Sequence, residues 1–172
     1  MSNIIFRVPV QNPDGTPAMP TKSSRARRWV KTDKAVPIRN DLDVYGVRLI
    51  SEPSGRETQD IALGLDPGKL FTGIGLLSAR ATLFKAHLQL PFKSVTKKMA
   101  TRRILRRARR GRRINRKIPY NQRCHRQERF ANRRQEKLVP SIRANKELEL
   151  RVVKELFKLY PLSHLVYERV ER

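Results

Sequence analysis

Through the first 90 residues, apolar side chains come in short runs separated by turn residues, a pattern of strands rather than helices. Ile4 to Val10 is one such run, closed by Asn12-Pro13-Asp14-Gly15, residue types that favour a turn. Lys34 to Arg39 and Val44 to Ile50 read as two more strands. Before them lies Arg25-Ala26-Arg27-Arg28-Trp29-Val30, a short helix with Ser23 or Ser24 as its N-cap. Ser51 to Asp60 holds Pro53, Ser54 and Gly55 among charged residues and reads as a linker. Ile61 to Leu65, Phe71 to Leu77 and Thr82 to Leu90 then read as three sequential strands, with Asp66-Pro67-Gly68 forming the corner after the first. In the third, Lys85, His87 and Gln89 alternate with Phe84, Ala86, Leu88 and Leu90, so His87 is expected on a solvent-facing side.

Beyond residue 90 the period changes. Ala100, Ile104, Ala108, Gly111, Ile114 and Ile118 recur at spacings of three and four, a narrow apolar stripe on an otherwise cationic helix. Arg143 to Tyr160 puts Leu148, Val152, Leu156 and Leu159 on one face. Pro161 stops that helix, and Leu165-Val166-Tyr167 begins a strand that reaches Glu168. Helix followed by strand is what a crossover to a parallel strand requires.

Charge sharpens this picture. The 172 residues carry 39 Lys and Arg against 15 Asp and Glu, a formal net charge of +24. Such an excess repels itself unless a polyanion neutralises it. The stretch from Lys97 to Lys137 holds 18 of the cations and only Glu128 and Glu136 as acids. Seven like-charged i,i+4 pairs, from Lys98/Arg102 to Arg113/Lys117, would cost an isolated helix about 1.5–3.5 kcal/mol, and Gly111 roughly 1 kcal/mol more. Phosphates supply the missing counter-charge, and the arginine fork suits them. No run approaches the roughly 18 apolar residues of a membrane span, and the first ten residues are too short for a signal-peptide core. The expected location is intracellular, cytoplasmic or nucleoid-associated, with no membrane partner. Cys124 is the only cysteine, which leaves no disulfide and no evident zinc site. His125 and His164 are read as surface or packing residues.

Two carboxylates remain as candidates for chemistry. Asp66 follows a strand and precedes a glycine turn, where a cation and a phosphate can approach closely, and Gly73 and Gly75 leave room beside it. Glu168 ends the last strand. Metal-assisted phosphodiester hydrolysis groups several carboxylates around ions about 3.5–4 Å apart, and the sequence offers these two.

Four motifs in order resemble the IscB family of transposon-associated, RNA-guided nucleases. Gly15-x-Pro17-Ala18-Met19-Pro20 with Ala26-Arg27-Arg28 is similar to that family's N-terminal Pro-Leu-Met-Pro module, Ala18 standing for the usual Leu. Gly64-Leu65-Asp66-Pro67-Gly68 with Thr72-Gly73-Ile74 is similar to its first RuvC segment. Arg102 to Arg110 resembles its Arg-Arg-x-Arg-Arg signature and arginine-rich bridge helix, and Arg129-Phe130-x-Asn132-Arg133 the continuation.

The resemblance implies an α/β fold: an incomplete RuvC or RNase H-like mixed sheet, an inserted Arg-rich bridge helix and a small N-terminal β-rich module. The implied divisions are an N-terminal module over 1–58, a first RuvC segment over 59–92, the bridge helix and its continuation over 93–137, and a second RuvC segment over 138–172. It implies Mg²⁺ or Mn²⁺ held by Asp66 and Glu168 as catalytic and metal-binding residues. Arg102, Arg103, Arg106, Arg107, Arg109, Arg110, Arg112, Arg113, Arg116, Arg129 and Arg133 would contact nucleic acid. The implied partners are a guide-type structured RNA, whose pairing reads the target DNA, and a second chain where one completes the nuclease. The family's HNH insert and third RuvC segment have no counterpart in the sequence, so an N-terminal or truncated part of such an endonuclease is expected. The alternative is a non-catalytic RNA-binding protein that uses the Arg-rich helix alone.

Overall fold

A computed structural model describes residues 7–113, 115–122 and 138–168. These form two four-stranded mixed sheets and three α-helices. The chain divides into two compact units, Met1–Leu90 with Glu147–Arg172, and Pro91–Lys146.

Within the first unit, one sheet has the order β2-β1-β4-β3, built from β1 (Arg7–Gln11), β2 (Pro17–Lys22), β3 (Ala35–Arg39) and β4 (Tyr45–Leu49). The β1–β2 turn needs Gly15, whose φ is +84°. It is fastened by Asp14 Oδ1, which accepts from the Thr16 hydroxyl at 2.6 Å and the Thr16 amide at 2.9 Å. These bonds, with Arg56 beside the carboxylate, hold the Asp14 pKa below its ordinary range. Arg56 also reaches Glu52, so the irregular 51–60 segment is clasped to the turn.

Strand β2 is not evident from sequence because Pro17 and Pro20 argue against a strand. It sits at the sheet edge, where a missing N–H costs no ladder bond. Helix α1 spans Ser23–Lys31, with Lys22 rather than a serine at its N-cap and no side-chain cap. Ser23 and Ser24 therefore lie inside the helix, a correction to the capping expectation. Ala26 is buried with Val10, Ala35 and Val47.

The second sheet has the order β7-β6-β5-β8, from β5 (Ile61–Pro67), β6 (Phe71–Ser78), β7 (Ala81–Gln89) and β8 (His164–Tyr167). Successive side chains alternate between its faces. Ile61, Leu63, Leu65, Ile74, Leu76 and Leu83 point to one face and bury against Val152, Val153, Leu156, Leu159 and Tyr160 of the α3 region. Helix α3 (Pro140–Leu159) is held by that burial, at roughly 1.5–3 kcal/mol per large aliphatic side chain, more than by propensity. Met19, Ile38, Leu42 and Val44 of the N-terminal half pack on the same cluster. Gln11 adds a polar tie: its Nε2 donates to the Lys158 carbonyl at 2.9 Å near the end of α3, and its Oε1 accepts from Arg48.

In the second unit, α2 spans Phe92–Arg113 and a 3₁₀ turn spans Tyr120–Gln122. The helix ends before Ile118, which lies in a turn, so the apolar stripe does not continue to that residue. Ile104 is 65% exposed and Leu105 51%. The stripe is thus no source of core burial, and α2 is a cationic helix with solvent-facing apolar residues. No helix among the described residues is long and apolar enough to cross a membrane.

Candidate functional site

Strand register decides which side chains meet. Asp66 pairs with Gly73 and Gly64 with Gly75 across β5 and β6, while Gly73 pairs with His87 and Gly75 with Lys85 across β6 and β7. On the other side, β8 runs parallel to β5 with Gly64 opposite Val166 and Leu65 opposite Tyr167. The Glu168 amide continues the ladder, donating to the Leu65 carbonyl at 3.0 Å. Glu168 therefore stands level with Asp66, on the face away from α3 and the core. Directly opposed residues share a face, so two rows cross this surface. One reads Glu168, Asp66, Gly73, His87; the other reads Val166, Gly64, Gly75, Lys85.

All of these but His87 line an open depression of about 640 Å³, with glycines as its floor, and His87 stands beside it, opposite Gly73. Asp66, Glu168, Lys85 and His87 are all exposed. Neighbouring strands lie about 4.8 Å apart, so the two carboxylates rise from adjacent strands at one level. The cradle fits a hard, oxygen-preferring ion: Mg²⁺ is commonly held by one or two carboxylates plus waters and substrate phosphate. No cluster of three or more His, Cys, Asp or Glu that could hold a metal occurs among the described residues.

The corner that delivers Asp66 is sterically fixed. The Gly68 amide donates to the Phe71 carbonyl at 2.9 Å. A Cβ on Gly68 would lie 2.5 Å from that same carbonyl oxygen, closer than the backbone tolerates. Only glycine closes this turn. On the buried side, Thr72 Oγ1 donates to Glu149 Oε1 at 2.7 Å, tying β6 to α3 one residue from Gly73. Both residues are buried, and sequence reading singled out neither as a pair. Their partnership spans 77 positions and carries no local signal.

Helix α2 carries eleven Lys and Arg and no acid. Arg102, Arg103, Arg106, Arg107, Arg109 and Arg112 are exposed, with no ion pair to an acid among the described residues. Arg110 and Arg113 complete its last turns, and Arg116 lies in the turn beyond. Arg129 and Arg133, with Cys124 and His125, lie outside the described residues. His164 does have a neighbour, its Nδ1 standing 2.9 Å from Ser163 Oγ.

A family model described as RRXRR protein matches residues 8–172. No curated protein matches the chain. The Arg-Arg-x-Arg-Arg pattern occurs twice on α2, overlapping, as Arg106-Arg107-Ala108-Arg109-Arg110 and as Arg109-Arg110-Gly111-Arg112-Arg113.

Proposed function

The chain belongs to the RRXRR protein family, and we propose on that footing that it is part of an IscB-type, RNA-guided, metal-dependent DNA endonuclease. The observation that carries the reading is the register that sets Glu168 level with Asp66 over a glycine floor. In this reading the second sheet is a RuvC or RNase H-like sheet, and α2 is the bridge helix that holds guide RNA.

Asp66 and Glu168 would hold Mg²⁺ or Mn²⁺, which when bound supplies Lewis acidity and orients a water toward phosphorus. The chain's own residues do the rest. Asp66 is presented by a turn that Gly68 alone can close, and Glu168 is delivered by parallel pairing of β8. Bare glycine backbone lets a phosphodiester come down onto the strands beside them. Two-metal hydrolysis draws on further carboxylates, so Asp66 and Glu168 would serve one of its cations. The arginines of α2 act separately, neutralising RNA phosphates with a fork geometry that lysine lacks.

The test is nuclease activity of the purified chain with its co-purifying RNA, on single- and double-stranded DNA with Mg²⁺ or Mn²⁺, beside Asp66→Ala. Cleavage that disappears in the variant while RNA affinity stays the same supports the reading. Cleavage that survives the substitution overturns it. Tight, salt-sensitive RNA binding with no cleavage under any condition favours a non-catalytic RNA-binding protein working through α2.

A further inference from the structure

Three glycines on one face of two central strands call for a cause. Glycine in a strand interior is unfavourable, by roughly 0.5–1 kcal/mol relative to alanine in regular structure. Neither backbone conformation nor internal packing demands it here. Gly15 is the only described glycine with positive φ. A Cβ at Gly64 would meet only the Gly75 carbonyl, at 3.8 Å. At Gly75 it would meet only Leu77 Cδ1, at 3.8 Å, and at Gly73 the Asp66 side chain, at 3.6 Å from its Cβ and 3.8 Å from its Oδ2. All are ordinary contacts. The described protein would admit side chains at these positions, so the bare floor serves something that comes from outside.

The far wall of the trough indicates what that is. Two strand spacings from Asp66, about 10 Å away, stand Lys85 and His87, opposite Gly75 and Gly73. The His87 ring is stacked on Phe71, with centroids 4.7 Å apart and planes at 25°. That contact orients the imidazole along the wall, while Phe71 itself remains 43% exposed. A lysine, an oriented imidazole and an accessible aromatic ring form the set that grips single-stranded nucleic acid, with cations on phosphates and a ring for a base.

We infer that the trough seats one sugar–phosphate strand, held by Lys85 and the Phe71-braced His87 on one wall and presented to Asp66 and Glu168 on the other. The inference rests on the nuclease reading of that carboxylate pair and names the substrate strand's second set of contacts.

The test is photo-cross-linking of the full chain to a thiothymidine-substituted oligo(dT), mapped by mass spectrometry on the tryptic peptides that cover 70–80 and 81–93, the latter uncut at position 85 where Lys85 is replaced. It is run in EDTA on Asp66→Asn/Glu168→Gln, which removes both the cation and the negative wall, and so isolates strand seating from metal binding. Cross-links on these peptides are expected. They should fall roughly tenfold in Lys85→Ala/His87→Ala, the loss of about one charge-assisted contact. They should vanish in Gly75→Val, which adds bulk to the floor where a Cβ is tolerated and a β-branched residue suits a strand. Circular dichroism confirms that the variants are folded. Oligonucleotide bound to folded protein without cross-links on these peptides, or cross-links indifferent to Gly75→Val, would overturn the inference. Cross-links in the trough alongside failure of Asp66 and Glu168 to bind Mn²⁺ would leave strand seating intact and sink the nuclease reading instead.

Discussion

Ser163 is locked to Ile61 by reciprocal hydrogen bonds: the Ile61 amide donates to Ser163 Oγ at 3.0 Å, and the Ser163 amide donates to the Ile61 carbonyl at 3.0 Å. Both residues stand five positions before a candidate carboxylate, Ile61 before Asp66 and Ser163 before Glu168. Docking one pair therefore sets the level of the other. A one-residue slip would turn Glu168 to the opposite face.

Ser163→Ala leaves the Ile61 amide without its side-chain acceptor. A loss of about 1–2 kcal/mol is expected, read as a lower urea midpoint at unchanged m-value. Amide exchange should accelerate at Glu168, whose N–H bonds to Leu65. Unaltered exchange there would show that β8 is registered by other contacts.

Thr72→Val keeps shape and removes the hydroxyl that donates to buried Glu149. Hydrogen bonds to charged groups contribute about 1.5–3 kcal/mol, so a destabilisation of that order is expected. Thr72→Ser, which keeps the donor, should recover part of it. Equal losses in both variants would assign the effect to packing.

The glycines separate by role. Gly68→Ala forces a Cβ against the Phe71 carbonyl and should cost on the order of 1–3 kcal/mol, because the turn must open. Gly75→Ala meets no obstacle and should leave stability unchanged or raised by up to about 1 kcal/mol. Thermal unfolding of the two variants side by side checks the contrast.

Burial pushes the Tyr160 hydroxyl up to about 12, against about 10 in an unfolded chain. The folded state keeps a proton that the unfolded state releases, so stability is intact below pH about 10 and declines as pH rises toward about 12. Tyr160→Phe cannot ionise. Between pH of about 9 and about 11.5, the wild type should lose on the order of 2 kcal/mol more than the variant. Parallel losses would show that Tyr160 ionises without unfolding.

For RNA binding, log affinity should fall linearly with log salt. Replacing Arg102, Arg103, Arg106 and Arg107 by Ala should flatten the slope by about 0.7–0.9 for each arginine that neutralises a phosphate. An unchanged slope would remove α2 from the interface.

Much of this was legible along the chain because it is local. Period-two runs marked β5, β6 and β7, Pro161 marked the end of α3, and alternation placed His87 on an open face. Asp66 stood out because glycine and proline punctuate its corner. What escaped was set by pairing between distant segments. The prolines of β2 are tolerated only because that strand lies at an edge, and the Thr72–Glu149 bond exists only because α3 crosses behind β6. The far wall of the trough is of the same kind. Lys85 and His87 become neighbours of the carboxylate site only through the registers of β5, β6 and β7.

The most direct measurement is paramagnetic broadening of backbone amide resonances by substoichiometric Mn²⁺ on the RNA-free chain. If Asp66 and Glu168 form one cation site, the amides of Asp66, Gly73 and Glu168 broaden first, and the effect disappears in Asp66→Asn and in Glu168→Gln. Broadening that is absent at these amides, or that persists in both variants, would contradict the assignment of this carboxylate pair as the metal site.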